Sequence, residues 1–119
     1  MNDLTIKQVE SGSELRTFIN FSWHVYKDDP NWVPPLRLQI KEKLNRKKNP
    51  FFEHAEMALF LARRGKETVG RIAAIVDFNH NEYHQEKVVF FGLYESLNDE
   101  QVARLLLETV IDWGQKRGM

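Results

Sequence analysis

The chain has 119 residues, 42% of them apolar and 12% aromatic, which excludes a disordered polypeptide and fits one globular domain. Its 17 lysines and arginines balance 17 aspartates and glutamates, so the whole chain has no net attraction for nucleic acid or for an anionic membrane. The absence of cysteine excludes disulfides, thiolate metal ligands and a cysteine nucleophile. The start lacks a signal-peptide pattern, and the longest apolar run, 88–93, is too short to span a membrane. We therefore expect a cytoplasmic protein with no membrane partner.

The first half of the sequence predicts one strand and two helices. Apolar and polar residues alternate over 4–9, as in a half-buried strand. Ser13 is expected to cap a helix that ends by Asp28-Asp29-Pro30, because proline disfavours a helical residue before it. Pro34 and Pro35 are placed to start a second helix, which Asn49-Pro50 ends.

The second half predicts three strands and one helix. Strands are expected near 58–63 and over 68–78, joined by a hairpin turn at Arg64-Gly65-Lys66. After a polar connection, Lys87–Glu95 is apolar on both faces, which is typical of a central strand covered on both sides. Asn98 is predicted to cap the last helix. Its buried stripe is predicted to comprise Val102, Leu105, Leu106, Val110 and Trp113.

Three local phrases carry a resemblance to a known family. They are Tyr26–Arg37, Lys47–His54 and Gly70–Ile75, and they resemble a little-characterised branch of GNAT-like proteins. The element order is also similar to the first half of the GNAT acyltransferase fold, and the similarity covers essentially all of residues 1–119. The resemblance implies one α+β domain of three layers, with a mixed, mainly antiparallel sheet and helices on both faces. It also implies that the domain is truncated after its third helix.

The resemblance further implies a site for acetyl-coenzyme A beside the fourth strand. The backbone around Leu93 and Tyr94 would contact the thioester, and Glu95 would be the general base. Tyr26, Trp32 and Arg37 would help to shape the acceptor site. From the residues themselves two other readings stay open: Glu95 is a solvated strand end, and Trp32 with Val33 anchors a proline-stiffened loop to the core.

The segment expected to hold the pyrophosphate of coenzyme A departs from the family pattern. GNAT proteins place glycines there, which let backbone N–H groups approach phosphate closely. This chain has Ser96–Ala103 instead, without glycine and with Asp99 and Glu100 in the first helical turn. These carboxylates complement the positive end of the helix and repel an incoming phosphate.

Two further clusters have simpler interpretations. His80 and His84 have a spacing that holds a metal ion on a helix, but their surroundings read as a solvated loop, so no metal site is predicted. The basic cluster from Arg37 to Lys48, followed by Phe51 and Phe52, resembles a nucleic-acid contact. A solvated helix face is favoured over nucleic-acid binding, because the whole chain is neutral.

Two functions follow as expectations. The first is acyl transfer from acyl-coenzyme A to an amine of a small molecule or peptide, with the 119-residue piece inactive by itself. The second is a non-catalytic GNAT-like module that binds a partner or a small ligand. Because the returning strand of the fold is not in this sequence, self-association through an unpaired strand edge is a further expectation.

Overall fold

The computed structural model describes residues 3–119, which form a sheet of four strands with helices on both faces. The elements in chain order are β1 (Leu4–Gln8), α1 (Gly12–Val25), α2 (Arg37–Lys43), a 3-10 turn (Pro50–Glu53), β2 (Ala55–Arg64), β3 (Glu67–Asp77), α3 (Phe78–His84), β4 (Phe90–Ser96) and α4 (Glu100–Gln115).

The sheet follows the order of the chain. Its strands lie in the order β1-β2-β3-β4, and each adjacent pair is antiparallel. The turn between β2 and β3 contains Gly65 at φ 61°, a left-handed conformation that favours glycine. This arrangement confirms an α+β fold with an antiparallel sheet; within residues 3–119 no pair of strands is parallel, so the expected mixed sheet is not seen.

Alternation along the strands builds a separate core on each face. On one face α4 packs through Val102, Leu106 and Trp113 onto strand residues that include Ile72 and Val76. Gly70 permits this close approach, because a Cβ atom there would lie 2.8 Å from side-chain atoms of Leu106 and Val102. The other face is covered by α1 and by Leu44 after α2. Its core residues are Phe18, Ile19, Leu44, Leu59, Leu61 and Ala73.

The helix starts differ slightly from the predicted ones. The cap of α1 is Ser11 rather than Ser13, because Ser11 and Glu14 form a reciprocal capping box. The cap of α4 is Asp99 rather than Asn98, and its carboxylate accepts a hydrogen bond from the backbone N–H of Gln101. Helix α2 begins only at Arg37, after both prolines of the preceding loop.

The predicted polar connection after β3 is wrong, since residues Phe78–His84 form α3. The side chain of Asp77 caps this helix by accepting from the backbone N–H groups of Asn79 and His80. Asn81 then anchors it, exchanging hydrogen bonds of 3.1 and 3.2 Å with the backbone of Val88. A polar segment is helical here because a cap and one buried amide hold it. The last helix is therefore the fourth, not the third.

Strand β4 is also more exposed than its sequence predicts. It pairs with β3 alone in the described part of the chain and forms one edge of the sheet. Phe91 is 57% exposed and Leu93 41% exposed, so the expectation of a central strand covered on both faces is not met. An apolar strand residue is buried only where another element packs over it. Within residues 3–119, no element covers Phe91 and Leu93 completely.

The helices of the described chain are all too short or too polar to cross a membrane.

Candidate functional site

The candidate site is built around a bulge in β4. Arg71 of β3 lies opposite Glu95, but Ala73 lies opposite Gly92, so two residues of β4 face one residue of β3. These two residues are Leu93 and Tyr94, which share Ile72 as their counterpart, and Leu93 has φ 51°. A bulge interrupts the hydrogen-bond ladder, and such interruptions are common beside active sites. The backbone predicted to contact a thioester is therefore the irregular part of the strand.

The buried side chain of Arg71 holds the bulge against α1. Its Nε donates to the carbonyl oxygen of Leu93 at 3.0 Å, and its Nη1 donates to the carbonyl oxygen of Phe18 at 2.7 Å. Burial lowers the pKa of the guanidinium, and the negative charge of Glu95 opposes this shift. Arg71 is only 5% exposed, so it links two elements of the fold rather than serving as a surface charge.

Tyr26, at the end of α1, contacts the proposed general base directly. Its hydroxyl donates a hydrogen bond of 2.6 Å to Oε2 of Glu95. This hydrogen bond, together with desolvation and the carboxylate charge, raises the pKa of Tyr26 above its ordinary value. Two residues that the resemblance assigned to different roles, base and acceptor pocket, therefore form one pair.

An aromatic cluster extends from this pair. The rings of Tyr26 and Trp32 are stacked with their centroids 5.2 Å apart, and Trp32 meets Trp23 edge-on at 5.5 Å. The guanidinium of Arg37 lies 3.9 Å from the centre of the Trp23 ring and donates to Asn20 at 2.8 Å. Arg37 thus contacts the cluster from outside, through Trp23 and Asn20 of α1.

The structure thus brings together five of the six predicted site residues: Tyr26, Trp32, Glu95 and the bulged backbone of Leu93 and Tyr94. The side-chain hydroxyl of Tyr94 lies 2.8 Å from Oγ of Ser96. Sequence reasoning did not assign Arg71 to the site, although a lone cation on the face of β3 that carries Ala73 and Ile75 was a usable signal.

Trp32, and not Val33, packs the proline-stiffened loop against α1. Val33 is 84% exposed, so the interpretation that it packs into the core is wrong. The rings that pack against Trp32 are those of Tyr26 and Trp23.

The N-terminus of α4 is occupied by the chain's own carboxylate. Asp99 caps the helix at 2.9 Å from the Gln101 N–H, and its other oxygen accepts from Nη2 of Arg64 at 2.7 Å. A hollow of 380 Å³ lies beside this segment and is lined by residues that include Tyr94, Ser96 and Glu100. The helix end therefore presents the carboxylates of Asp99 and Glu100 to an incoming phosphate, and the N–H of Gln101 is already bonded.

The histidine pair lies on α3, contrary to the predicted loop. The rings of His80 and His84 are 4.5 Å apart, and Nε2 of His80 lies 3.1 Å from Oε2 of Glu86. Over residues 3–119, however, no group of three histidine, cysteine or carboxylate side chains is arranged to hold a metal ion.

Comparison with known proteins gives two relatives. The chain is similar to a bacterial ceramide synthase of Caulobacter vibrioides, with 37% identity over 117 residues, which is 98% of this chain and 30% of that protein. It is also similar to protein YghO of Escherichia coli K12, with 34% identity over 106 residues, which is 89% of this chain and 27% of that protein. The chain thus spans less than a third of the curated relatives it matches. No protein-family model and no solved structure matches it.

Proposed function

We propose that this chain is the general-base side of a GNAT-like acyltransferase domain, which transfers an acyl group from acyl-coenzyme A to an amine. The observation that carries the proposal is the bulge at Leu93 and Tyr94, directly followed by a carboxylate, Glu95, that Tyr26 holds at 2.6 Å. The GNAT assignment itself rests on the resemblance of the sequence, and the geometry supports it by placing the implied groups side by side.

An amine acceptor is supported by the site and by one relative. A carboxylate beside aromatic rings suits a substrate ammonium, which needs a proton acceptor and gains from contact with ring faces. One of the two relatives is named a ceramide synthase. Ceramide is an amide of a fatty acid and a long-chain amino alcohol, so that name denotes the acylation of an amine.

The chain's own residues have separate roles in this proposal. Acyl-coenzyme A supplies the activated acyl group. Tyr26 donates to Oε2 of Glu95, which leaves Oε1 to accept a proton from the ammonium. Backbone N–H groups at Leu93 and Tyr94 would face the acyl oxygen and stabilise developing negative charge. Arg71 would preserve the bulge by binding the carbonyl oxygen of Leu93.

The residues fit one end of coenzyme A better than the other. The bulge suits the thioester end, because it interrupts the ladder where a ligand can approach the backbone. The start of α4 does not suit the pyrophosphate, because Asp99 already accepts from the Gln101 N–H that a phosphate would need. The proposal therefore assigns no pyrophosphate contact to this segment.

This mismatch favours a second candidate function, a non-catalytic module of the same fold that binds a partner or small ligand. The ion pair between Arg64 and Asp99 is its specific support, since it stabilises the helix end without a bound anion. In that case Glu95 would be a structural partner of Tyr26 only.

One experiment separates the two functions. Binding of acetyl-coenzyme A and of long-chain acyl-coenzyme A is measured by calorimetry, and turnover by release of free thiol, on the longest natural protein that contains this chain. Glu95→Gln is expected to lower turnover by about 10²- to 10⁴-fold with little change in binding. Glu108→Gln, an exposed position on α4, serves as the matched control. Binding without turnover would favour the module, and no binding of either thioester would contradict the acyltransferase.

A further inference from the structure

A second surface, away from β4, exposes aliphatic side chains. Val33 is 84% exposed, Leu36 66% and Leu38 67%. They lie in the loop before α2 and in its first turn, and α2 itself buries none of its residues within the described structure. Three large aliphatic side chains within six positions are therefore left to solvent. Single exposed apolar residues are ordinary, but a local group of this kind indicates an interaction site.

Cations surround these aliphatic residues. Between 33 and 48 the chain has six basic residues and a single carboxylate, Glu42, although its net charge is zero overall. None of the six forms an ion pair within residues 3–119. We call the whole surface the basic–aliphatic face. It comprises Val33, Leu36, Arg37, Leu38, Lys41, Lys43, Arg46, Lys47 and Lys48.

Two hollows place the charges beside the apolar groups in space. One, of 810 Å³, is lined by Leu38 together with Lys41, Lys43 and Lys48. The other, of 490 Å³, lies between α1 and α2 and is lined by Leu38, Arg37, Lys41 and apolar residues of α1. Leu38 therefore has cationic neighbours in both hollows. The basic and aliphatic side chains are close in space as well as in sequence.

We propose that the basic–aliphatic face docks on the surface of a membrane that contains anionic phospholipids. Aliphatic side chains bury their surface at the boundary of headgroups and acyl chains, while lysine and arginine bind the phosphates. The loop that carries Val33 is stiffened by Pro34 and Pro35, which lowers the entropy lost when its tip is inserted. The whole chain has no net charge because acidic residues elsewhere balance the cations of this face. For that reason the net charge alone led to the expectation of no membrane partner.

A nucleic acid fits the same face less well. Sequence-tolerant binding of single strands requires aromatic rings on which bases stack. The nearest rings, Phe51 and Phe52, are partly buried and pack edge-on against each other at 5.7 Å, and Phe51 also packs edge-on against His54 at 5.2 Å. The exposed groups among the cations are aliphatic, which suits lipid rather than bases.

The docking face adjoins the candidate site but does not depend on acyl transfer. Val33 directly follows Trp32, which stacks on the Tyr26 that holds Glu95. A lipid surface bound at Val33 would therefore lie next to the site. Membrane binding can be measured without any substrate, so its failure is distinct from failure of the proposed chemistry.

The test is flotation of the purified protein with vesicles of phosphatidylcholine alone or with phosphatidylglycerol added. Binding is expected only to the anionic vesicles, and it should weaken as ionic strength rises from about 0.1 M to about 1 M. The double variant Lys47→Glu/Lys48→Glu is expected to lower the partition coefficient at least about tenfold. Lys66→Glu/Lys87→Glu makes the same change in net charge at exposed positions outside the face and should have a much smaller effect.

The aliphatic contribution is tested separately. Leu36→Ser/Leu38→Ser is expected to lower the partition coefficient about tenfold with an unchanged melting temperature, because both side chains are largely exposed. Tyr83→Ser, 84% exposed on α3, is the matched control. Equal binding to neutral vesicles, or no binding to either kind, would overturn the proposal. So would binding to single-stranded RNA that the charge variant abolishes and the leucine variant leaves intact.

Discussion

The two faces of the sheet differ in what they bury. Between α4 and the sheet lies a core of apolar side chains, among them Ile72, Val76 and Leu106, all 0% exposed. Against α1 the same sheet buries Arg71 and meets the Tyr26–Glu95 pair. Alternate residues of strand β3 therefore face different surroundings: Ile72 and Val76 face the apolar core under α4, and Arg71 faces α1. One face provides packing energy, and the other can hold a charged group because hydrogen bonds to backbone carbonyls satisfy it.

The largest effect is expected on the apolar face. Leu106→Ala should lower the free energy of unfolding by about 3 kcal/mol, because the side chain is fully buried and its loss leaves a cavity. Urea unfolding followed by circular dichroism measures this change. The neighbouring Leu107→Ala, at a position 38% exposed, is the control and should cost less than half as much. Equal losses at the two positions would contradict the asymmetry of α4.

A smaller loss is expected for the charged group on the opposite face. Arg71→Met should lower the free energy of unfolding by about 2 kcal/mol, because the carbonyl oxygen of Leu93 loses its partner. Arg71→Lys should restore little, since one ammonium cannot reproduce the guanidinium contacts to both Leu93 and Phe18.

Amide hydrogen exchange at residues 92–95 measures the effect of Arg71 on the bulge, with Arg104→Met, largely exposed on α4, as control. Faster exchange is expected only in the Arg71 variants. Unchanged exchange and stability would show that Arg71 does not hold the bulge.

The hydrogen bond between Tyr26 and Glu95 should contribute about 1 kcal/mol to the free energy of unfolding. This contribution should depend on pH. Because the pKa of Tyr26 is raised in the folded state, the stabilisation is fully present below the unfolded value of about 10 and is lost as pH rises through the folded pKa. Tyr26→Phe should remove this alkaline loss. Unfolding free energies of both proteins across about pH 9 to 12 measure it, and Tyr83→Phe, at an exposed tyrosine, is the control.

The smallest effect is expected at the start of α4. Asp99→Asn keeps a good capping residue and removes one negative charge, so stability should change by less than about 1 kcal/mol. If the proposed acyltransferase is correct, the affinity for acyl-coenzyme A should rise about two- to fivefold. Asp112→Asn, at the other end of the same helix, should leave the affinity unchanged. A fall in affinity would show that Asp99 does not oppose the phosphate.

Local sequence patterns determined the elements and their faces. Alternation marked β1, β2 and β3, glycine marked the β2–β3 turn, and the 3.6-residue period marked the buried stripe of α4. Such patterns are informative because they arise from neighbours a few residues apart. They fail where long-range contacts decide. Helix α3 depends on the buried Asn81, and the exposure of β4 depends on which elements cover it.

The candidate site divides in the same way. The order of the chain alone placed Leu93, Tyr94 and Glu95 together at the end of one strand. Only the tertiary structure brought Tyr26 to Glu95 across 69 positions of sequence, and joined Arg71 to both α1 and the bulge. The physical reason is that a hydrogen bond between distant residues depends on how the helices pack onto the sheet. The period of a local sequence pattern carries no information about that packing.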